Sequence, residues 1–346
     1  MSQIETSATS TETVTPSKTL REFCLDLISE FGQLIENGGR GNPRLVFDRS
    51  TVSDHLLANR FVSFFDVGYP LTRAQLEHLC EASDITVMAS GTQGHRARGG
   101  NCSYQGKTFI YYKESDAPAA QVHSILHELF EVIERWLHEF TELRPRSHRI
   151  VERKANEFAA RVQVPPTRIM EWINVNGIDV VGLRRKFDCS YATALIQLAD
   201  VLSNTVNMAT RSSLPMIGLL YERPIWRRSP TGRLPRLVLR YFVKTPGFPF
   251  NLRKTGLGRV SIHQNGRTCS LRRLAQSGSQ LFLDQVEFQI DGRAYPVHIV
   301  VNTVRWRSVP LKPVKVVIQI MPADCRSLRT LAANYGLQPS ELFEED

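Results

Sequence analysis

The chain has 346 residues, 42% of them hydrophobic and 22% charged, which is typical of a globular protein with room for two or three domains. No apolar run approaches the roughly 18 to 20 residues that a membrane helix needs, and the Ser/Thr-rich N-terminus lacks the apolar segment of a secretion signal. The six cysteines form no C-x-x-C pair, which argues against a disulfide framework or a cysteine zinc site. We therefore expect a cytoplasmic protein with no membrane partner.

The net charge of +9 is distributed unevenly along the chain. Residues 205–275 contain fourteen Lys and Arg residues and a single acid, Glu222. Such an excess in one segment points to an anionic partner, and nucleic acid is the first candidate. An Arg-rich solvated surface would carry the same charge, so both interpretations stay open.

The first hundred residues read as a polar tail followed by mixed helices and strands. Residues 1–18 are low in apolar content and predict a disordered tail. Helical spacing of apolar residues predicts a helix over 19–37 and another over 73–82, the second with Thr72 as its N-cap. A strand over 85–87, a glycine-rich loop or hairpin over 91–106 and a strand over 107–113 follow.

Residues 121–140, QVHSILHELFEVIERWLHEF, predict the helix that carries most of the candidate functional residues. On a helical wheel of about 100° per residue, the apolar side chains gather on one side. The opposite side carries imidazole and carboxylate groups, namely those of His123, His127, Glu131, Glu134 and His138.

Residues 127–131 of this helix read H-E-L-F-E. In the zincin motif H-E-x-x-H, two metal ligands lie one turn apart and the Glu beside the first is the general base. Here Glu131 takes the second ligand position, and metals accept carboxylate oxygen as well as imidazole nitrogen. Alone the motif is weak, because a solvated helix face can show the same pattern. A third ligand is needed, and Glu152 lies at the start of a second predicted helix within residues 151–166.

The two segments together resemble the ImmA/IrrE family of metallopeptidases. The pattern H-E-x-x-(H) followed by E-x-x-A-N-x-F-A-A-x-x-x-x-P is matched at His127, Glu128, Glu152, Ala155, Asn156, Phe158, Ala159, Ala160 and Pro165. The resemblance covers residues 72–202 and implies that Glu152 is the third metal ligand, that Glu128 is the base, and that the strand at 109–112 precedes the metal helix. Two positions depart from the family pattern: Glu131 replaces a His, and Phe130 replaces a small residue.

The resemblance also implies a divalent metal, with zinc first. Two carboxylate ligands weaken the preference for zinc, so manganese and iron are alternatives. A pairing of His123 with His127 and Glu131 is a second geometric possibility, because His123 lies one turn before His127. The implied substrate is a protein partner, such as a helix-turn-helix repressor.

Three short helices are predicted after Pro166, over 167–175, 179–187 and 190–202. The last two have a helix-turn-helix outline, which resembles the segment after the peptidase motif in many ImmA/IrrE proteins. The outward residues Tyr191, Thr193 and Gln197 are only mildly suited to base readout. A plain helical hairpin that covers the metal domain and makes no DNA contact is the alternative.

The sequence therefore predicts an α+β protein. Its parts are a disordered tail (1–18), a zincin-like metallopeptidase domain (19–165), a helix-turn-helix-like helical segment (166–205) and a basic, then β-rich C-terminal module (214–346), in which Asp291-Gly292 marks a hairpin. The predicted function is that of a cytosolic metallo-endopeptidase acting on a regulatory protein. The alternatives are a catalytically impaired pseudopeptidase that serves as a scaffold and a DNA-binding regulator.

Overall fold

The computed structural model describes residues 18–35, 44–47, 52–91, 99–140, 147–204, 206–207, 212–223, 236–248, 260–290, 292–306 and 309–342. These form two compact units that divide after Val162. Helices and strands are mixed in the first unit, and strands dominate the second, so the predicted α+β class with a β-rich C-terminal part is confirmed. Of the predicted tail over 1–18, residues 1–17 lie outside the described residues, and the finer division into 19–165, 166–205 and 214–346 stays a prediction.

The first unit combines helices with a small sheet. Its helices are α1 (Leu20–Phe31), α2 (Asp54–Phe64), α3 (Arg73–Glu81), α4 (Pro118–Phe140) and α5 (His148–Gln163), the last of which crosses the division. Its strands are β1 (Gly32–Ile35), β2 (Arg44–Phe47), β3 (Ile85–Ser90), β4 (Gly99–Tyr104) and β5 (Lys107–Lys113). Strands β1 and β2 pair antiparallel with each other.

Strands β3, β5 and β4 form a three-stranded sheet in that order. β3 runs parallel to β5 and β4 runs antiparallel to it, which places β4 at the edge. β4 and β5 are joined by a tight turn in which Gln105 and Gly106 have φ angles of 50° and 77°. Part of the glycine-rich stretch is thus a hairpin, and residues 92–98 lie outside the described residues.

Helices α4 and α5 pack through their apolar faces and leave polar faces for a site. Phe130 is fully buried, and its ring centroid lies 5.4 Å from that of Phe158 on α5. Ala155 and Ala159 on α5 are also fully buried. The larger side chain at position 130 is therefore accommodated in the core. Phe61 of α2 closes the same cluster with its centroid 5.4 Å from Phe158.

Two predicted helix boundaries show the effect of local capping. Thr72 caps α3, as predicted, through a reciprocal capping box with Gln75. The helix predicted over 19–37 begins after the cap Thr19 but ends at Phe31. The predicted extension of this helix to residue 37 is therefore wrong. Gly32 is extended there (φ −77°, ψ 144°) and starts β1.

The second unit begins with α6 (Pro166–Asn176), α7 (Val180–Phe187) and α8 (Tyr191–Asn204), followed by the short paired strands β6 (Val206–Asn207) and β7 (Ser212–Ser213). Its main sheet has seven strands in the order β11-β10-β12-β13-β14-β8-β9. These are β8 (Ile217–Glu222), β9 (Val238–Lys244), β10 (Ser261–Gln264), β11 (Arg267–Ser270), β12 (Leu281–Ile290), β13 (Arg293–Trp306) and β14 (Val309–Pro322). Two further helices are α9 (Leu271–Gln276) and α10 (Ser327–Asn334).

The turn between β12 and β13 lies at the predicted hairpin. Ile290 pairs with Arg293, and Gly292 has a φ of 73°, which a glycine adopts without strain. None of the helices in the described part of the chain combines the length and the apolar character needed to span a bilayer.

Helices α7 and α8 keep the predicted order of helix, turn and helix but bury two of the three predicted readout residues, while Tyr191 is half-buried. Asp188 is left-handed (φ 42°) in the turn, and Ser190 accepts a hydrogen bond from the backbone of Thr193. Thr193 and Gln197 are 8% and 3% exposed, so the prediction that they face outward is wrong. α8 lies against the sheet of the second unit, where Leu195 packs over Gly218 of β8.

Candidate metal centre

Three predicted ligands converge between α4 and α5. His127 and Glu131 lie one turn apart on α4, and Glu152 lies on the first turns of α5. His127 Nε2 is 3.4 Å from Glu152 Oε2 and 3.8 Å from Glu131 Oε1. One potential ligand atom of each residue lies within 4.8 Å of the others, a convergence of His, Cys, Asp or Glu side chains found only here among the described residues.

The donor set suits a divalent cation. Two carboxylates face one imidazole, so their negative charge has no full counterpart within the trio, and a cation would neutralise it. The side chains of His127, Glu131 and Glu152 are 13%, 22% and 45% exposed, so the cluster opens towards solvent on the α5 side. Three protein ligands beside an accessible side are what a catalytic metal site requires.

Glu128 lies beside this trio and is buried, with 7% of its surface exposed. Burial raises the pKa of the Glu128 carboxyl, a hydrogen bond from Asn101 lowers it, and the nearby charge of Glu131 raises it again. The backbone of β4 covers the carboxyl closely: a Cβ on Gly99 would lie 3.0 Å from Glu128 Oε1.

Asn101 belongs to the candidate site, although its sequence position gives no sign of this. Its side-chain nitrogen donates to Oε2 of Glu128 at 2.7 Å and to Oε2 of Glu131 at 2.8 Å. Arg135 of α4 donates in turn to Asn101 Oδ1. Asn101 lies in the glycine-rich stretch, and the pairing of β4 with β5 brings it to α4. Arg135, one turn beyond Glu131 on the same helix, is the signal that could have indicated a partner there.

The other histidines of the region take different positions. His123 Nε2 lies 3.4 Å from Asn156 Oδ1 and is not part of the convergent trio, so the alternative pairing of His123 with His127 and Glu131 does not form. His148 lies on the solvent side with 83% of its side chain exposed, and its Nε2 is 3.6 Å from Glu152 Oε1.

The site thus combines three convergent donors with a buried carboxyl one residue from the first donor. This arrangement can hold a Lewis-acidic cation next to a group that accepts and returns a proton, which is the requirement of metal-assisted hydrolysis.

The middle part of the chain is similar to a known protein family. Residues 80–199 match the model of the IrrE N-terminal-like domain family, Peptidase_M78, which confirms the resemblance found in the sequence. No curated protein matches the sequence. Among solved structures, the chain is similar to a Mycobacterium tuberculosis transcriptional regulator with 13% identity and a TM-score of 0.46, over 92% of this chain and 84% of that chain.

Proposed function

Because residues 80–199 match an IrrE N-terminal-like peptidase domain, we propose that the chain is a cytosolic metal-dependent endopeptidase. The observation that carries the proposal is the convergence of His127, Glu131 and Glu152 within 4.8 Å, with the buried Glu128 alongside. The proposed substrate is a regulatory protein, such as a helix-turn-helix repressor, as the family resemblance implies.

His127, Glu131 and Glu152 would hold the cation, for which zinc is the first candidate and manganese or iron are alternatives. When bound, a divalent cation of this kind polarises a substrate carbonyl and makes water a stronger nucleophile at neutral pH. Glu128 is the proposed general base, which takes a proton from water and returns it to the leaving amine. Oε2 of Glu128 accepts from Asn101, so Oε1 is the atom proposed to receive the proton.

The edge of β4 is the proposed place for an extended substrate. β5 lies in the middle of its sheet and β4 at the edge, adjacent to α4. An extended peptide can therefore pair with the outer side of β4 by β-augmentation. β5 is paired on both of its sides, with β3 and with β4, so it has no open edge for a substrate.

Metal content of the purified full chain tests the proposal. We expect one equivalent of divalent metal in the wild type, its loss in His127→Ala, and its retention in Glu128→Gln, which keeps the shape of the side chain but removes the base. Cleavage of an unstructured protein substrate should be lost in both variants, with kcat in Glu128→Gln falling by about 10² to 10⁴.

A wild type that binds no metal, even when zinc, manganese and iron(II) are supplied, would refute the endopeptidase proposal. The chain would then fit the pseudopeptidase scaffold, for which the replacement of His by Glu131 is the supporting observation. Metal binding that persists unchanged in His127→Ala would show that the cation lies elsewhere.

A further inference from the structure

Asn101 and Arg135 form a chain of hydrogen bonds that ends on two carboxylates of the metal centre. We propose that Asn101 is a positioning residue that makes Glu131 a competent metal ligand, and that Arg135 holds Asn101 in place for this purpose. The same amide group keeps Glu128 oriented as the base. The inference rests on the metallopeptidase function proposed above, and it assigns roles to two residues outside the H-E-x-x-E motif.

The orientation of the Asn101 amide follows from the chemistry at both of its ends. A guanidinium group can only donate, so the amide oxygen must face Arg135, which also donates to Ser103 Oγ at 2.7 Å. Ionised carboxylates only accept, so the amide nitrogen must face Glu128 and Glu131. A flipped amide would place donor against donor at one end and acceptor against acceptor at the other.

This contact divides the two oxygens of Glu131 between two tasks. Oε2 accepts from Asn101 at 2.8 Å, and Oε1 lies 3.8 Å from His127 Nε2. A glutamate side chain has more rotatable bonds than a histidine and loses more rotamer freedom when it is fixed. A ligand of this type needs a second contact to hold one oxygen towards the cation, and Asn101 supplies it.

Asn101 also stabilises two neighbouring carboxylates by donating a hydrogen bond to each. Glu128 and Glu131 are three residues apart on α4, where like charges repel. The two N–H bonds of one amide can serve one oxygen of each carboxylate. The amide therefore allows an acidic ligand and an acidic base to lie side by side, which the usual His at position 131 would not require.

The metal affinity of the full chain, measured by competition with a chromophoric chelator for Zn²⁺ and Mn²⁺, tests this role without reference to activity. Asn101→Ala is expected to weaken the affinity by about 10- to 100-fold, the usual effect of removing a partner of a metal ligand. In a Glu131→His background the same change should alter the affinity by no more than about twofold, because histidine does not need the amide. A residue that merely supported β4 would weaken both backgrounds equally.

Cys102→Ala is the matched control. Cys102 is the next residue on β4, is exposed, and has its thiol 3.7 Å from the Tyr111 hydroxyl, so its removal should leave the metal affinity unchanged. Arg135→Lys provides a second measurement should Asn101→Ala fail to fold. Lysine keeps the positive charge but lacks the two guanidinium nitrogens that donate to Ser103 and Asn101. We therefore expect Arg135→Lys to weaken the metal affinity about tenfold.

The outcomes separate this inference from the function on which it rests. If the wild type does not bind metal through His127, the proposed metallopeptidase function is refuted. A wild type that binds metal through His127, together with an Asn101→Ala variant of equal affinity or an equal loss in both backgrounds, overturns the positioning role alone. If only the Arg135→Lys variant can be measured, unchanged affinity overturns it as well.

Discussion

At the scale of single residues, Gly99 shows how closely β4 approaches the proposed base. A Cβ at this position would lie 3.0 Å from Glu128 Oε1 and 3.1 Å from the Tyr111 carbonyl oxygen. Tyr111 belongs to the paired strand β5, whose backbone cannot readily move, so the Glu128 carboxyl would have to give way. Gly100 is different, since a Cβ there would meet no atom of the described chain within 4 Å.

The pair Gly99→Ala and Gly100→Ala therefore makes a matched test of the position of Glu128. We expect Gly99→Ala to lower kcat on the order of 3- to 10-fold. A catalytic group displaced by about 1 Å can lower the rate about 10²-fold, and the expected displacement of the Glu128 carboxyl is a few tenths of that distance. Gly100→Ala should leave kcat unchanged, whereas the displaced base in Gly99→Ala should lower it. The comparison uses kcat and not KM, because substrate pairing along β4 also involves Gly100. Equal kcat in both variants would show that the Glu128 carboxyl tolerates the crowding and that its position is not set by β4.

The sequence predicts the site residues on helices better than those on strands. His127 and Glu131 follow from helical spacing, since positions i and i+4 lie on one face of α4, and Glu128 follows from its place in the H-E-x-x-E motif. Asn101 has no such local signal. Its place depends on the register between β4 and β5, in which Asn101 lies opposite Ile110, and a glycine-rich strand has few β-branched residues to indicate it.

At the scale of elements, α8 shows why a helix-turn-helix outline does not establish DNA readout. The order helix, turn and helix is predicted correctly from the sequence, because Asp188 and Ser190 act locally. Which face is exposed depends on the sheet that α8 packs against, and this sheet comes from residues far along the chain. Burial of Thr193 and Gln197 leaves these side chains unavailable to bases.

The packing of α8 on β8 predicts a large effect of Gly218→Ala on stability. The added Cβ would lie 2.4 Å from Leu195 Cδ1 and 3.0 Å from Val243 Cγ2. Leu195 is fully buried and has little room to move, so we expect a loss of about 1 to 3 kcal/mol in the free energy of unfolding, measured by urea denaturation. Ile196→Ala, on the exposed side of α8, should change it by less than about 0.5 kcal/mol. A Gly218→Ala variant as stable as the wild type would contradict this packing.

At the scale of the whole molecule, the basic segment and the candidate metal-binding residues lie in different parts of the chain. The candidate metal centre lies in the first unit, while residues 205–275, with fourteen basic residues and one acid, belong to the second. Only part of this basic segment lies in the described residues. There Glu222 Oε1 lies 2.7 Å from Lys315 Nζ, and Glu222 Oε2 lies 3.9 Å from Arg240 Nε. The single acid of the segment thus already has basic partners. The remaining excess charge supports an anionic partner for this segment, which we propose is nucleic acid.

The dependence of binding on salt tests this partner. If the segment neutralises six to ten phosphates, the affinity for duplex DNA should fall by about 10³ to 10⁵ between 50 and 200 mM salt. Replacing the exposed Arg236 and the half-exposed Arg240 by Ala should lower the salt slope by about one for each phosphate that is no longer neutralised.

Arg185→Ala on α7 is the control, because it should lower the slope only if the helical segment binds instead. Affinity that does not respond to salt would mean that the basic segment is only a solvated surface.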